Sequence, residues 1–256
     1  MKHIKLSSVL SALALIAGSV LIFLTRSAAL AAEATDLSKM AFSASLILAI
    51  VGAVSLIATL LPKKQPVSTR TLAMAALFAA LCYIGFTFCK IDIPVGMEKT
   101  AFHLGNVFCV LAALYLGGFW GGMAGAVGMT IADLTTAYVT SAPKTFLLKL
   151  GIGLITGLIA HKIFKLSHNT KRKIPLPVAT ALSCIGGMAF NVVADPVVGY
   201  FYKIYVLGVP QDAAKIWAKI GAVTTLVNAL VAVVAATIIY LATRSALQKA
   251  KLLPHI

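Results

Sequence analysis

Long runs of apolar residues, each followed by a short polar or basic stretch, constrain this chain more than any other feature. A helix of about 20 apolar residues crosses the hydrocarbon core of a bilayer. Eight runs reach or approach that length, at 6–25, 41–61, 71–89, 102–116, 120–138, 145–164, 178–200 and 216–243. Charged residues make up only 11% of the chain, against about 25% in soluble domains. The sequence therefore predicts an all-α integral membrane protein.

The net charge of +15 is distributed in a way that predicts the topology. If the amino terminus lies inside, thirteen of the 22 Lys and Arg residues fall at inner ends and loops, and all seven Asp and Glu residues fall on or toward the outer side. Cytoplasmic loops are enriched in Lys and Arg. We therefore expect a multi-pass protein of the cell membrane with both termini in the cytoplasm. This pattern accounts for the basic charge without a nucleic-acid partner.

The first two runs precede a core that resembles a unit of its own. We divide the sequence into two additional N-terminal segments (1–68), a six-helix core (69–245) and a cytoplasmic tail (246–256). Lys2 and Lys5, the first apolar run and the small residues of AALAAEA also resemble a secretory signal with a cleavage site. Cleavage would leave seven spans and would not change the orientation of the core.

Several catalytic and metal-binding patterns are absent from the sequence. No Gly precedes a Lys, so there is no GxxxxGKS/T phosphate loop, and neither HExxH nor GxSxG occurs. The four cysteines form no CxxC pair, and the five histidines show no metal-ligand spacing. The sequence predicts no catalytic residue, cofactor or metal, and it leaves any ATP hydrolysis to partner proteins.

Polar residues gather on single faces of the last three predicted helices, because positions i, i+4, i+7 and i+11 of a helix lie on one side. The residues are Lys149 on the helix at 145–164, Asn191 and Asp195 on the helix at 178–200, and Trp217 and Asn228 on the helix at 216–243. By the rise of a helix, they lie in the outer half of the membrane or near its middle. Lipid cannot satisfy such groups. We therefore predict a pocket that opens to the outside.

Several of these residues also have a purely structural interpretation. Lys149 could extend its amine to the surface, Asn228 could bond a neighbouring helix, and Trp217 could belong to an interfacial aromatic belt. Lys144 lies in the first turn of its helix, where the helix dipole is positive. It could pair with Asp133, attract an anionic group or lie in solvent.

Small residues recur at every fourth position in several helices, a spacing that lets helix backbones approach closely. They are Gly117, Gly121 and Gly125, then Gly118 and Gly122, then Gly153 and Gly157, and Ala75 with Ala79 and Ala76 with Ala80. We expect the glycines to pack helix against helix. The alanines form an apolar strip that could instead dock another membrane protein.

Three stretches carry a resemblance to a known family. They are AALFAAL at 75–81, FHLGNVFCVLAALYLGGFWGGMAGAVGMTIADL at 102–134 and SAPKTFLLKLGIGLITGL at 141–158. Over residues 71–243 the chain resembles the substrate-binding S component of energy-coupling factor (ECF) vitamin transporters, the group that includes riboflavin and hydroxymethylpyrimidine types. The resemblance implies a six-helix protein that binds its vitamin from outside. It also implies a shared transmembrane T subunit and two cytoplasmic ATPases as partners.

The resemblance assigns roles to particular positions. It implies that Ala75, Ala76, Ala79 and Ala80 contact the T subunit. It also implies that the later helices and the loop at 90–101 hold the substrate, which agrees with the polar faces described above. The chain departs from the family at Asn106, because an acidic residue often follows HLG there. The part that His103 and Asn106 play in the pocket therefore stays open.

These arguments combine into one predicted function, the capture of a B-vitamin or vitamin precursor, riboflavin-like or pyrimidine-like, for ATP-driven uptake. The predicted substrate-binding residues are Lys149, Asn191, Asp195, Trp217 and Asn228, followed by His103, Asn106, Asp133 and Lys144. One alternative is a stand-alone secondary transporter that carries protons through Asp133 or Asp195. The others are an intramembrane enzyme and a scaffold without a small-molecule ligand.

Overall fold

The structure is a computed structural model that describes residues 68–95, 98–167, 174–250 and 252–253, with a few isolated positions before residue 68. The N-terminal segments predicted at 6–25 and 41–61 lie outside the described residues. The helices are α1 (Thr69–Thr87), α2 (Gly105–Leu134), α3 (Ala142–Gly157), α4 (Leu176–Phe201) and α5 (Gln211–Lys249). Wider helical turns extend α3 through Leu158–Ile163 and α4 through Tyr202–Val206. Helix α5 ends at Lys249 and therefore includes the first residues of the tail predicted at 246–256.

Five helices in the described part of the chain are long and apolar enough to cross a membrane. The all-α membrane fold that the sequence predicts is confirmed. Helix α1 begins at Ser68, whose hydroxyl accepts the Thr71 backbone N–H at 3.1 Å. Such a cap satisfies one of the N–H groups that the first turn of a helix leaves without a partner.

Helix α2 is two helical arms joined at a sharp break. Gly117 has φ 80° and ψ 173°, a conformation that side chains with a Cβ rarely adopt. The second arm folds back along the first, so that Gly121 lies against Ala113 and Gly125 against Cys109. The described core therefore has six helical segments, and the break falls between the runs predicted at 102–116 and 120–138.

The second arm of α2 also packs closely on α3. A Cβ on Gly153 would collide with the backbone of Gly122, and one on Gly157 would collide with the backbone of Gly118. The prediction that glycines at every fourth position pack helix against helix is confirmed. Their backbones touch at points where any side chain would hold the helices apart.

Two strands join α1 to α2, where a loop was expected. Strands β1 (Lys90–Val95) and β2 (Glu98–His103) pair antiparallel, with Lys90 opposite His103. The helix predicted to begin at residue 102 begins three residues later, because Phe102 and His103 belong to β2. Six-residue strands between two long apolar runs leave too weak an alternation to be recognised in the sequence.

The end of the bundle away from the hairpin is closed by aromatic packing. The Tyr115 ring lies between Phe78 and Tyr240, with ring centroids 5.7 and 4.9 Å away. The hydroxyls of Tyr115 and Thr243 are hydrogen-bonded at 2.5 Å. Arg244 donates to the Leu166 carbonyl at 2.9 Å. This cluster ties α1, α2 and α5 together and leaves the hairpin end as the place for a cavity.

The four alanines predicted to dock a partner divide between two faces of α1. Ala75 is buried, and Ala79 is half-buried where its backbone lies against Gly128 of α2. Ala76 and Ala80 are exposed. Only the second pair therefore presents small residues on the outer surface of the bundle.

Candidate functional site

A cavity of about 150 Å³ opens at the hairpin end, between the strands and helices α2 to α5. A single water needs only about 10–15 Å³, so the cavity has room for a small organic molecule. All nine residues predicted to bind substrate line it, namely His103, Asn106, Asp133, Lys144, Lys149, Asn191, Asp195, Trp217 and Asn228. The helical faces read from the sequence do converge. Substrate binding by these residues remains a prediction.

One lysine of the cavity is held in a closed ion pair. Lys144 Nζ lies 2.8 Å from Asp195 Oδ1, and the Thr225 hydroxyl donates to Asp195 Oδ2 at 2.7 Å. Both carboxylate oxygens therefore have partners. The Lys144 ammonium thus bonds Asp195 on the wall of the cavity, and the alternative in which Lys144 lies in solvent is wrong, because its side chain is only 17% exposed.

The other helical lysine lies deeper and has a neutral partner. Lys149 Nζ donates to Asn106 Oδ1 at 2.8 Å, and the two residues are only 8% and 2% exposed. The alternative in which Lys149 reaches the surface is wrong, because burial on this scale keeps its amine inside the bundle. Asn106 thus receives a definite role as the hydrogen-bond acceptor for a buried ammonium group.

Three buried polar atoms on the cavity wall have no hydrogen-bond partner. They are His103 Nδ1, Asp133 Oδ2 and Asn191 Oδ1. A buried polar atom without a partner costs about 1–3 kcal/mol, so native proteins contain few of them. These three atoms are therefore available to bond water or a ligand in the cavity.

Asn228 bonds the hairpin with both ends of its side-chain amide. Its Oδ1 accepts the His103 backbone N–H at 3.0 Å, and its Nδ2 donates to the Ala101 carbonyl at 2.9 Å. The alternative in which Asn228 bonds a neighbouring helix is wrong, because its partner is the β2 backbone. In this structure Asn228 positions the strand that carries His103.

Aromatic rings form two walls of the cavity. On one side the Phe86 ring packs edge-on against His103 and Tyr138, with centroids 4.8 and 5.4 Å away. Near the start of α5, Lys203 Nζ lies 4.0 Å from the centre of the Trp217 ring. The interfacial interpretation of Trp217 does not exclude this place on the cavity wall.

Some lining residues escaped the sequence analysis. Phe86, Tyr138, Lys203 and Thr225 all border the cavity. Thr225 lies one turn before Asn228, so the helical face that identified Asn228 could have identified it too. Tyr138 had no comparable signal, because its position depends on a bond from its hydroxyl to Asp92 Oδ1 at 2.7 Å in the hairpin.

Protonation of the groups at the cavity mouth follows from their surroundings. Burial, reinforced by the positive charge of Lys149, lowers the pKa of His103 to about 3, so its imidazole is neutral. Burial and the hydrogen bond to Asp92 raise the pKa of Tyr138. The mouth therefore offers a neutral imidazole and a protonated phenol. Among the described residues no group of three or more His, Cys, Asp or Glu side chains could hold a metal ion.

Comparison with known proteins gives one match. The family model described as "ECF-type riboflavin transporter, S component" matches residues 66–245, well over half of the chain. No curated protein and no solved structure matches the sequence. The matched residues include five helical segments, α5 up to residue 245, the hairpin and every residue that lines the cavity.

Proposed function

The chain belongs to the S components of ECF-type riboflavin transporters, and we propose that its cavity captures riboflavin or a related B-vitamin or precursor from outside the cell. The family consists of substrate-binding subunits of transporters and not of enzymes. The resemblance found in the sequence is thereby confirmed. The particular vitamin and the partner subunits belong to the proposal.

The three unpartnered polar atoms on the cavity wall carry this proposal. His103, Asp133 and Asn191 line the cavity, and each has a buried polar atom without a hydrogen-bond partner. The aromatic residues of the lining, Phe86, Tyr138 and Trp217, suit a flat ring. A planar heterocycle with polar edge atoms matches both features.

The distribution of charge supports an outward-facing cavity. The hairpin end carries the loops that the sequence predicts outside, whereas Lys162, Lys165 and Arg244 lie at the opposite end, which the positive-inside rule assigns to the cytoplasm. In this orientation a multi-pass protein of the cell membrane would expose its cavity mouth to the medium and keep its carboxyl end in the cytoplasm.

The exposed alanines of α1 support a docking role toward a membrane partner. Ala76 and Ala80 lie one turn apart on the open face of α1, and small residues at this spacing allow close helix contact. Because the chain has no phosphate loop of its own, energy would come from a T subunit with two ATPases.

Mass spectrometry of small molecules released from the detergent-purified protein, followed by titration with what is found, tests the capture function. A vitamin recovered near one per chain would support it. An empty protein that binds no member of a B-vitamin panel would refute it.

The docking role has its own test, co-purification of the T subunit. Ala76→Trp should abolish co-purification and leave vitamin binding unchanged. Val223→Trp is the matched control, because Val223 is 62% exposed on α5. Normal assembly of the Ala76→Trp protein would contradict the docking role.

A further inference from the structure

Lys149 and Asp133 are oppositely charged residues of the cavity that do not form an ion pair with each other. Both residues are buried, line the same cavity and carry opposite charges. Their charged atoms nevertheless do not approach within the 4 Å of an ion pair, whereas Lys144 and Asp195 in the same cavity close to 2.8 Å. The cavity therefore contains one closed pair and one separated pair.

The separated pair has unused hydrogen-bonding capacity on both sides. An ammonium group has three donors, and Lys149 uses one of them on Asn106. Asp133 Oδ2 is buried and accepts no hydrogen bond. Buried charges are costly unless other groups compensate them, so a molecule in the cavity that bonds both side chains would be favoured.

We propose that Lys149 and Asp133 form a ligand subsite for a ring edge that carries a carbonyl next to an N–H, as in a cyclic amide or imide. The carbonyl oxygen accepts from Lys149, and the ring N–H donates to Asp133 Oδ2. This inference rests on the proposed capture function and specifies which part of the ligand enters the cavity first.

Charge selects this chemistry over simpler ions. A carboxylate or phosphate group would bond Lys149 but would be repelled by the Asp133 carboxylate. An ammonium group would bond Asp133 but would be repelled by Lys149. A neutral edge with one donor and one acceptor satisfies both side chains at once. The unpartnered Asn191 Oδ1 on the same wall provides an acceptor for a second ring N–H or a hydroxyl.

A ligand-and-protein cycle tests the subsite. Riboflavin carries an imide N–H between two carbonyls, and its N3-methyl derivative lacks only that donor. For the full chain in detergent, we expect methylation to raise Kd at least tenfold. In the Asp133→Leu protein, which keeps the volume of the side chain and removes its acceptor, methylation should raise Kd less than threefold. Asp133→Ala serves if the leucine protein does not fold.

Asp212→Leu is the matched control, because the Asp212 side chain is 95% exposed in the first turn of α5 and does not border the cavity. It should retain the full effect of methylation. If N3-methylation raised Kd by the same factor in the wild-type and Asp133 variant proteins, the subsite would be overturned. Riboflavin binding itself would leave the capture function intact. Failure to bind riboflavin, or any heterocycle with a carbonyl beside an N–H, would overturn both.

Discussion

The two ends of the bundle treat buried polar groups differently. At the closed end the Tyr115 hydroxyl bonds Thr243 and aromatic rings fill the space around it, and Arg244 Nε is the atom of this cluster that lacks a partner. At the hairpin end, Asp133, Asn191 and His103 each keep a buried atom without a partner. The difference indicates that packing at the closed end serves stability, whereas the hairpin end gives up some stability to leave groups available for a ligand.

The largest expected effect separates the two ends through stability. Tyr115→Ala would remove a ring that packs against Phe78 and Tyr240, and such truncations cost about 3–5 kcal/mol. Thermal unfolding in detergent should show this loss, whereas the Kd for riboflavin of the folded fraction should stay within twofold. Tyr115→Phe is the control and should lose only about 1 kcal/mol with the Thr243 bond. Weakened binding in the folded alanine protein would break the comparison.

The opposite result is expected at the hairpin end. Lys149→Met would keep the length of the side chain and remove its charge. Because hydrogen bonds to charged groups contribute about 1.5–3 kcal/mol, affinity for riboflavin should fall between tenfold and a hundredfold. Stability should change little, because the buried ammonium is no longer desolvated whereas Asn106 Oδ1 loses its hydrogen-bond donor.

Lys215→Met is the control for this loss of charge, because Lys215 is exposed at the start of α5 and pairs only with nearby Asp212 in the described part of the chain. Fluorescence titration and unfolding of both variants measure the two quantities. Lys149→Met with unchanged affinity would remove Lys149 from the site.

A smaller effect is expected where the hairpin joins α5. Asn228→Ala would break two bonds to the β2 backbone, each contributing about 1 kcal/mol. Hydrogen exchange at the His103 amide should speed up between fivefold and thirtyfold. Asn228→Asp keeps the acceptor for that amide and should retain most of its protection. Equal protection in all three proteins would show that the strand is held by other contacts.

The sequence predicted helix faces well because helical geometry alone decides which residues share a side. This is why Lys149, Asn191 and Asn228, which belong to three different helices, all line the cavity as predicted. The sequence alone could not decide which lysine pairs with which aspartate, since that pairing depends on how α3 packs against α2 and α4. It also missed the hairpin, whose pairing depends on contacts between strands and with α5.

The smallest expected effect concerns His103 and pH. Its pKa is about 3 in the folded protein and about 6.5 when unfolded. Below pH 6.5 the unfolded chain therefore binds a proton that the folded chain does not, so stability falls as the pH drops toward 3. Between pH 7.5 and 5.5 this contribution amounts to about 1.4 kcal/mol. His103→Gln, which cannot be protonated, should lose that much less stability than wild type over the same range. Equal pH dependence of unfolding in the two proteins would mean that water reaches the imidazole in the folded state. The hairpin end would then differ from the closed end in water access as well as in its unpartnered polar atoms.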